Sequence, residues 1–272
     1  MSLYIQLITS FIVGGLFIAM QTLIGERVPL RWRGIALTVP TTMALSLFFI
    51  GLTKSPQDIP EVSLLIPAAI APDYIFVLLF AILSRFGLIL SLGISYIAWG
   101  VVGYLLLQFP PGSFAESTFL YAAPVVIITY AIVRKLPQVT SLKPFPINLT
   151  HILIRSLIGG SVILTIVILA KTVGNLWGGL FSMFPASYLA TFIIYYTLQG
   201  HRVMPSIVKS LFFPGIPGFL IYAYVAVLTF PEYGIWIGTL LSYIAVFAFF
   251  WVWVKVGTKL RARFHAHPMP PN

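Results

Sequence analysis

A chain of 272 residues that is 59% hydrophobic and 8% charged is too apolar to stay in water, since soluble domains carry roughly 25% charged residues. It reads as an all-α integral membrane protein. The absence of cysteine excludes disulfides, thiolate chemistry and cysteine-bound metal. The net charge of +10 is scattered over short loops and a tail, which argues against nucleic acid as a partner.

In chain order, hydropathy predicts nine transmembrane segments, each near the roughly 20 residues that a bilayer core requires. They cover residues 3–24, 34–53, 63–83, 86–107, 118–133, 152–170, 177–198, 206–230 and 233–254. The first lacks a basic leader and a small-residue cleavage site, so it reads as a retained helix. The gaps leave no room for a soluble domain. The longest, residues 134–151, is polar and proline-rich and reads as a connector between two halves.

Charge fixes the expected orientation, because Lys and Arg concentrate in cytoplasmic loops. With the N-terminus outside and nine crossings, the cytoplasmic side holds Arg27, Arg31, Arg33, Arg85, Arg134, Lys135, Lys143, Arg155, Arg202, Lys209, Lys255, Lys259, Arg261 and Arg263. These are 14 of the 16 basic residues. Lys54, Lys171, Asp58, Glu61, Glu116 and Glu232 fall outside. If residues 118–133 did not cross, ten of those fourteen would be exported. The expected location is the inner or plasma membrane, N-terminus outside and C-terminus cytoplasmic.

The chain also matches itself at a shift of 145 positions. Gly14 and Gly15 fall on Gly159 and Gly160, Ile18 on Ile163, Trp32 on Trp177, Gly34 on Gly179, Pro40 on Pro185, Thr42 on Ser187, Pro72 on Pro217 and Gly93 on Gly238. A two-residue slip aligns the two "SYIA" stretches at 95–98 and 242–245. The expected fold is therefore nine transmembrane helices arranged as two inverted four-helix repeats joined by a central linking helix. The parts are a first repeat at 1–108, the linking helix and connector at 109–150, a second repeat at 151–254 and a basic tail at 255–272. Inverted repeats are common among secondary transporters, which place substrate near the midplane.

The stretch "LAKTVGNLWGGLFSMFPASYLATFIIYYTLQG" at 169–200 resembles the GlpM family of small four-span bacterial inner-membrane proteins. The shared pattern is A-K-T ending one helix, then G-L, then F-P, then an aromatic and β-branched helix. The resemblance covers about one half of the chain. The first half departs from it, with Glu26 where the second has Lys171 and Val39 in place of Phe184. It implies a fold; it implies no substrate. A family member of half this length would have to pair antiparallel to build the same unit. Separately, a second copy of this chain is also an expected partner.

Only one acid lies deep in a span. Asp73, in "PAAIAPDYIFVLL", sits about 15 Å along the third helix at 1.5 Å per residue. A carboxylate at that depth is costly and is read as functional. Pro72 and Pro67 each remove a backbone N–H, which predicts a broken helix whose freed carbonyls face a cation or a polar substrate. The competing reading is an interfacial Asp. The second candidate is the mirrored pair formed by Thr38, Pro40, Thr41 and Thr42 with Ser182, Pro185 and Ser187. Proline frees a carbonyl there and hydroxyls supply hydrogen bonds, although small and hydroxyl residues also serve as packing between membrane helices. Gln21 reads as facing a cavity or snorkelling. Arg155 reads as snorkelling to lipid phosphate.

No metalloprotease motif, paired intramembrane carboxylates or phosphate-binding loop occurs, so neither catalysis nor a cofactor is expected. The expected function is a secondary carrier of a small solute or lipid with a midplane site, proton- or cation-coupled. Its expected partners are membrane lipids and that solute. The alternative is a non-transporting scaffold or accessory subunit of an envelope enzyme.

Overall fold

The computed structural model describes residues 3–28, 35–36, 38–137 and 148–265, without strand. The helices are α1 (Leu3–Arg27), α2 (Thr41–Thr53), α3 (Ile59–Leu64), α4 (Ile66–Leu83), α5 (Leu88–Gln108), α6 (Ala123–Val133), α7 (Leu149–Thr172), α8 (Asn175–Ser182), α9 (Ala186–Gln199) and α10 (Met204–His265). A turn at Phe114–Glu116 and a π-helix at Ser117–Ala122 lead into α6. The repeat positions Trp32 and Gly34, the connector at 138–147 and the tail beyond 265 lie outside the described residues.

Among the described residues, six helical segments are long and apolar enough to cross a membrane, which makes the chain a multi-pass membrane protein. Hydropathy predicts nine, and the difference has three sources. α2 is a 13-residue helix because Pro40 starts it. A second proline, Pro185, separates α8 from α9. The last long segment, Gly215–Lys255, is counted as one although it folds back on itself. Gly234 breaks it at φ 75, ψ 175. A Cβ at Gly238 would meet Phe230, and one at Gly218 would meet Phe250. The Tyr222 and Tyr243 ring centroids are 5.1 Å apart.

α4 is the central helix. Its apolar window is 78% buried, where the other five lie between 22% and 33%. It runs continuously through Pro72, so the break predicted beside Asp73 does not occur. The interruption nearest to it is at Leu65, between α3 and α4, two positions before Pro67. There the Ser117 hydroxyl accepts a hydrogen bond from Ala68 N–H at 2.9 Å, satisfying one orphan donor of the helix start.

Three contacts gather one end of the bundle. Gln6 Nε2 donates to Leu52 O at 3.2 Å, Lys54 Nζ to Ala170 O at 3.2 Å and Gln57 Nε2 to Pro231 O at 3.4 Å. The start of α1 and the end of α7 thus share one end, and the two helices run antiparallel. They pack through glycines in a reciprocal pattern. A Cβ on Gly14 would meet Ile163, and one on Gly159 would meet Ile18. A Cβ on Gly15 would lie 2.3 Å from Ser156 O, and one on Gly160 2.4 Å from Phe11 O.

Local geometry also recurs at the 145-residue spacing. Pro40 has φ −73, ψ 57 and Pro185 has φ −76, ψ 53. Thr41 N–H bonds Val39 O at 2.7 Å and Ala186 N–H bonds Phe184 O at 2.7 Å. Both are inverse γ-turns. Short 3₁₀ turns follow at Pro56–Asp58 and His201–Val203.

Arg155 is buried, at 1% exposure, so the expected snorkelling is corrected. The residue directly after it is Ser156, whose carbonyl abuts Gly15. Gly159, one turn on along the same face of α7, packs against Ile18 of α1, so this face points into the bundle and away from lipid.

Candidate functional site

The proline breaks at 40 and 185 enclose a cavity. Its walls include Thr41, Thr42 and Met43 from α2, Ser182 from α8, Phe184, Pro185 and Tyr188 around the second break, Phe219 from α10, and Asp73 from α4. The space open to the centre of a water-sized body is about 30 Å³, against the roughly 10–15 Å³ that one water needs. That is room for a small ion or one or two waters. It is far below the several hundred Å³ of a drug-sized pocket.

Each break exists for a local reason. Proline cannot donate to the preceding turn, and its ring clashes with the carbonyl four residues back. The chain therefore makes an inverse γ-turn and restarts as a helix with proline at its N-cap. Gln21 Nε2 fastens the first break by donating to Val39 O at 2.7 Å and Ala36 O at 3.3 Å. It braces the backbone instead of lining the cavity. The Ser182 hydroxyl donates to Gly179 O at 2.7 Å at the end of α8.

Asp73 is buried at 4% exposure. Trp99 of α5 donates its indole N–H to Asp73 Oδ1 at 2.8 Å. The indole is itself held edge-on by Phe181 and Phe184, with ring centroids at 5.1 and 5.2 Å. Tyr74, Tyr96 and Tyr188 lie within electrostatic reach of the carboxylate. Among the described residues, no Lys, Arg or His lines the cavity. The cavity wall therefore offers an ionised Asp73 only neutral groups, and a buried carboxylate without a counter-charge is costly.

Of the residues singled out from the sequence, the structure brings Asp73, Thr41, Thr42, Ser182 and Pro185 to one cavity. Four others take different places. Thr38 donates its hydroxyl to Ile35 O at 3.2 Å. Pro40 forms the turn behind the wall, Pro72 lies in the unbroken α4, and Gln21 braces the break. The Ser187 side chain lies outside what the structure describes. Sequence reasoning missed Trp99, whose one available signal was an indole N–H in mid-span, a donor that needs a partner when buried. It also missed Asn175. This side chain accepts from Lys54 Nζ and donates to Glu61 Oε2 at 2.7 Å and Asp58 Oδ1 at 3.3 Å, tying α8 to α3 at the Lys54 end.

Comparison with protein families, with curated proteins and with solved structures found no match to this chain.

Proposed function

We propose that the protein is a membrane carrier of a small solute, coupled to a proton or cation held at Asp73 between two inverted repeats. The observation that carries this reading is the cavity itself. One buried carboxylate, on a wall that carries no cationic side chain among the described residues, sits where two interrupted helices meet. Such a placement is typical of coupling sites in carriers built from inverted repeats.

Several features support the repeat within this reading. The γ-turns at Pro40 and Pro185 share geometry, the Gly14–Ile163 and Gly159–Ile18 contacts are reciprocal as in an isologous interface, and α1 and α7 run antiparallel. Counting the two arms of α10 separately, and α8 with α9 as one traverse, gives nine crossings with Asp58, Glu61 and Lys54 outside. The resemblance of 169–200 to the GlpM family belongs to the same proposal: this chain would be a duplicated and fused form.

Purified protein in liposomes tests the reading. Vesicles loaded with a pH- or sodium-sensitive dye are given an imposed ion gradient, with and without a mixed panel of small solutes. The carrier reading expects dye responses well above those of protein-free vesicles. Responses equal to the protein-free control for both ions would leave the scaffold reading in its place.

A further inference from the structure

The cavity's chemistry narrows the coupling ion, on the premise that this cavity is the coupling site. We infer that it takes one dehydrated monovalent metal cation of sodium size, held by the Asp73 carboxylate with hydroxyls of Thr41, Thr42 and Ser182.

Charge decides the valence. A single carboxylate in a low-dielectric site is neutralised by one positive charge, whereas a divalent ion would leave a buried excess charge. Calcium sites assemble six to eight oxygens, several of them carboxylate. Here Asp73 is the one acid on the cavity wall among the described residues. Among the described residues no group of three or more His, Cys, Asp or Glu is placed to hold a metal, which disfavours transition metals as well.

Size and donor type decide the rest. Phe184, Tyr188 and Phe219 on the wall would also suit an organic ammonium through their ring faces, which makes tetramethylammonium the discriminating competitor. Oxygen donors are hard and match alkali cations. Tyr243 lies within hydrogen-bond reach of the Thr41 side chain. Ser182 is oriented by its bond to Gly179 O, which leaves the oxygen lone pairs for a cation.

The test is thermal unfolding of the purified full-length protein at fixed pH and ionic strength, with N-methylglucamine chloride exchanged for chlorides of sodium, lithium, potassium, calcium or tetramethylammonium. Sodium and lithium are expected to raise the unfolding temperature saturably, with potassium at least tenfold weaker. Ser182→Ala is expected to shift the sodium midpoint at least tenfold upward, and Asp73→Asn to remove the response. The inference is overturned by a larger response to calcium or tetramethylammonium, by equal curves in all salts, or by a sodium response that Asp73→Asn retains. Sodium stabilisation without ion flux in liposomes would keep the inference and remove the carrier reading. Proton flux without any sodium response would do the reverse.

Discussion

Gly15→Ala and Gly160→Ala should each cost about 1–3 kcal/mol of stability, and the two costs should match. The new methyl groups would lie 2.3 and 2.4 Å from the backbone oxygens of Ser156 and Phe11. A backbone carbonyl on a packed helix cannot rotate away, so α1 and α7 must separate. Overpacking of that kind costs about 1–3 kcal/mol, and leucine at either site should prevent folding. Gly93→Ala and Gly100→Ala are the controls. Nothing lies within 4 Å of a Cβ at either position, and alanine is the better helix former by about 1 kcal/mol. Thermal unfolding in detergent reads all four. Unequal costs at Gly15 and Gly160, or no cost at either, would show that the reciprocal crossing does not set the fold.

Asp73→Asn should abolish ion flux while the protein stays folded. Asparagine keeps the size and still accepts the Trp99 hydrogen bond, and burying a neutral amide costs less than burying a carboxylate. Trp99→Phe should retain flux at saturating ion and raise the half-saturating ion concentration by about tenfold. It keeps an aromatic ring beside Phe181 and Phe184 but deletes the indole N–H donor that fixes Asp73 Oδ1. Trp99 is thus a positioning residue. Its effect should appear as a raised half-saturating ion concentration, while Asp73→Asn removes the activity at every concentration. Flux that survives Asp73→Asn would move the site away from α4.

Much of this arrangement is legible from the residues, because the signals are local or periodic. Apolar runs mark helices by themselves, and a proline between hydroxyls marks each break. Glycines repeating at 145 residues mark the α1–α7 crossing. What stays hidden depends on which helix lies beside which. Trp99 reaches Asp73 only because α5 packs on α4. Arg155 is buried because its face of α7 turns into the bundle. Asn175 finds Asp58 and Glu61 across the bundle. Pro72 shows the opposite limit: a local rule predicts a break, yet tertiary packing of the most buried helix holds the chain helical through it.

A carrier of this kind needs two halves that oppose each other across the membrane with the Asp73 cavity between them. Because the chain has no cysteine, single cysteines test this directly at Ser113 and Lys135, both exposed and flanking the segment at 114–133. Intact cells are treated with a membrane-impermeant thiol reagent, then opened and treated again. The inverted arrangement predicts that Ser113→Cys labels in intact cells and Lys135→Cys only after opening. Labelling of both from the same side would contradict that arrangement and the carrier mechanism built on it.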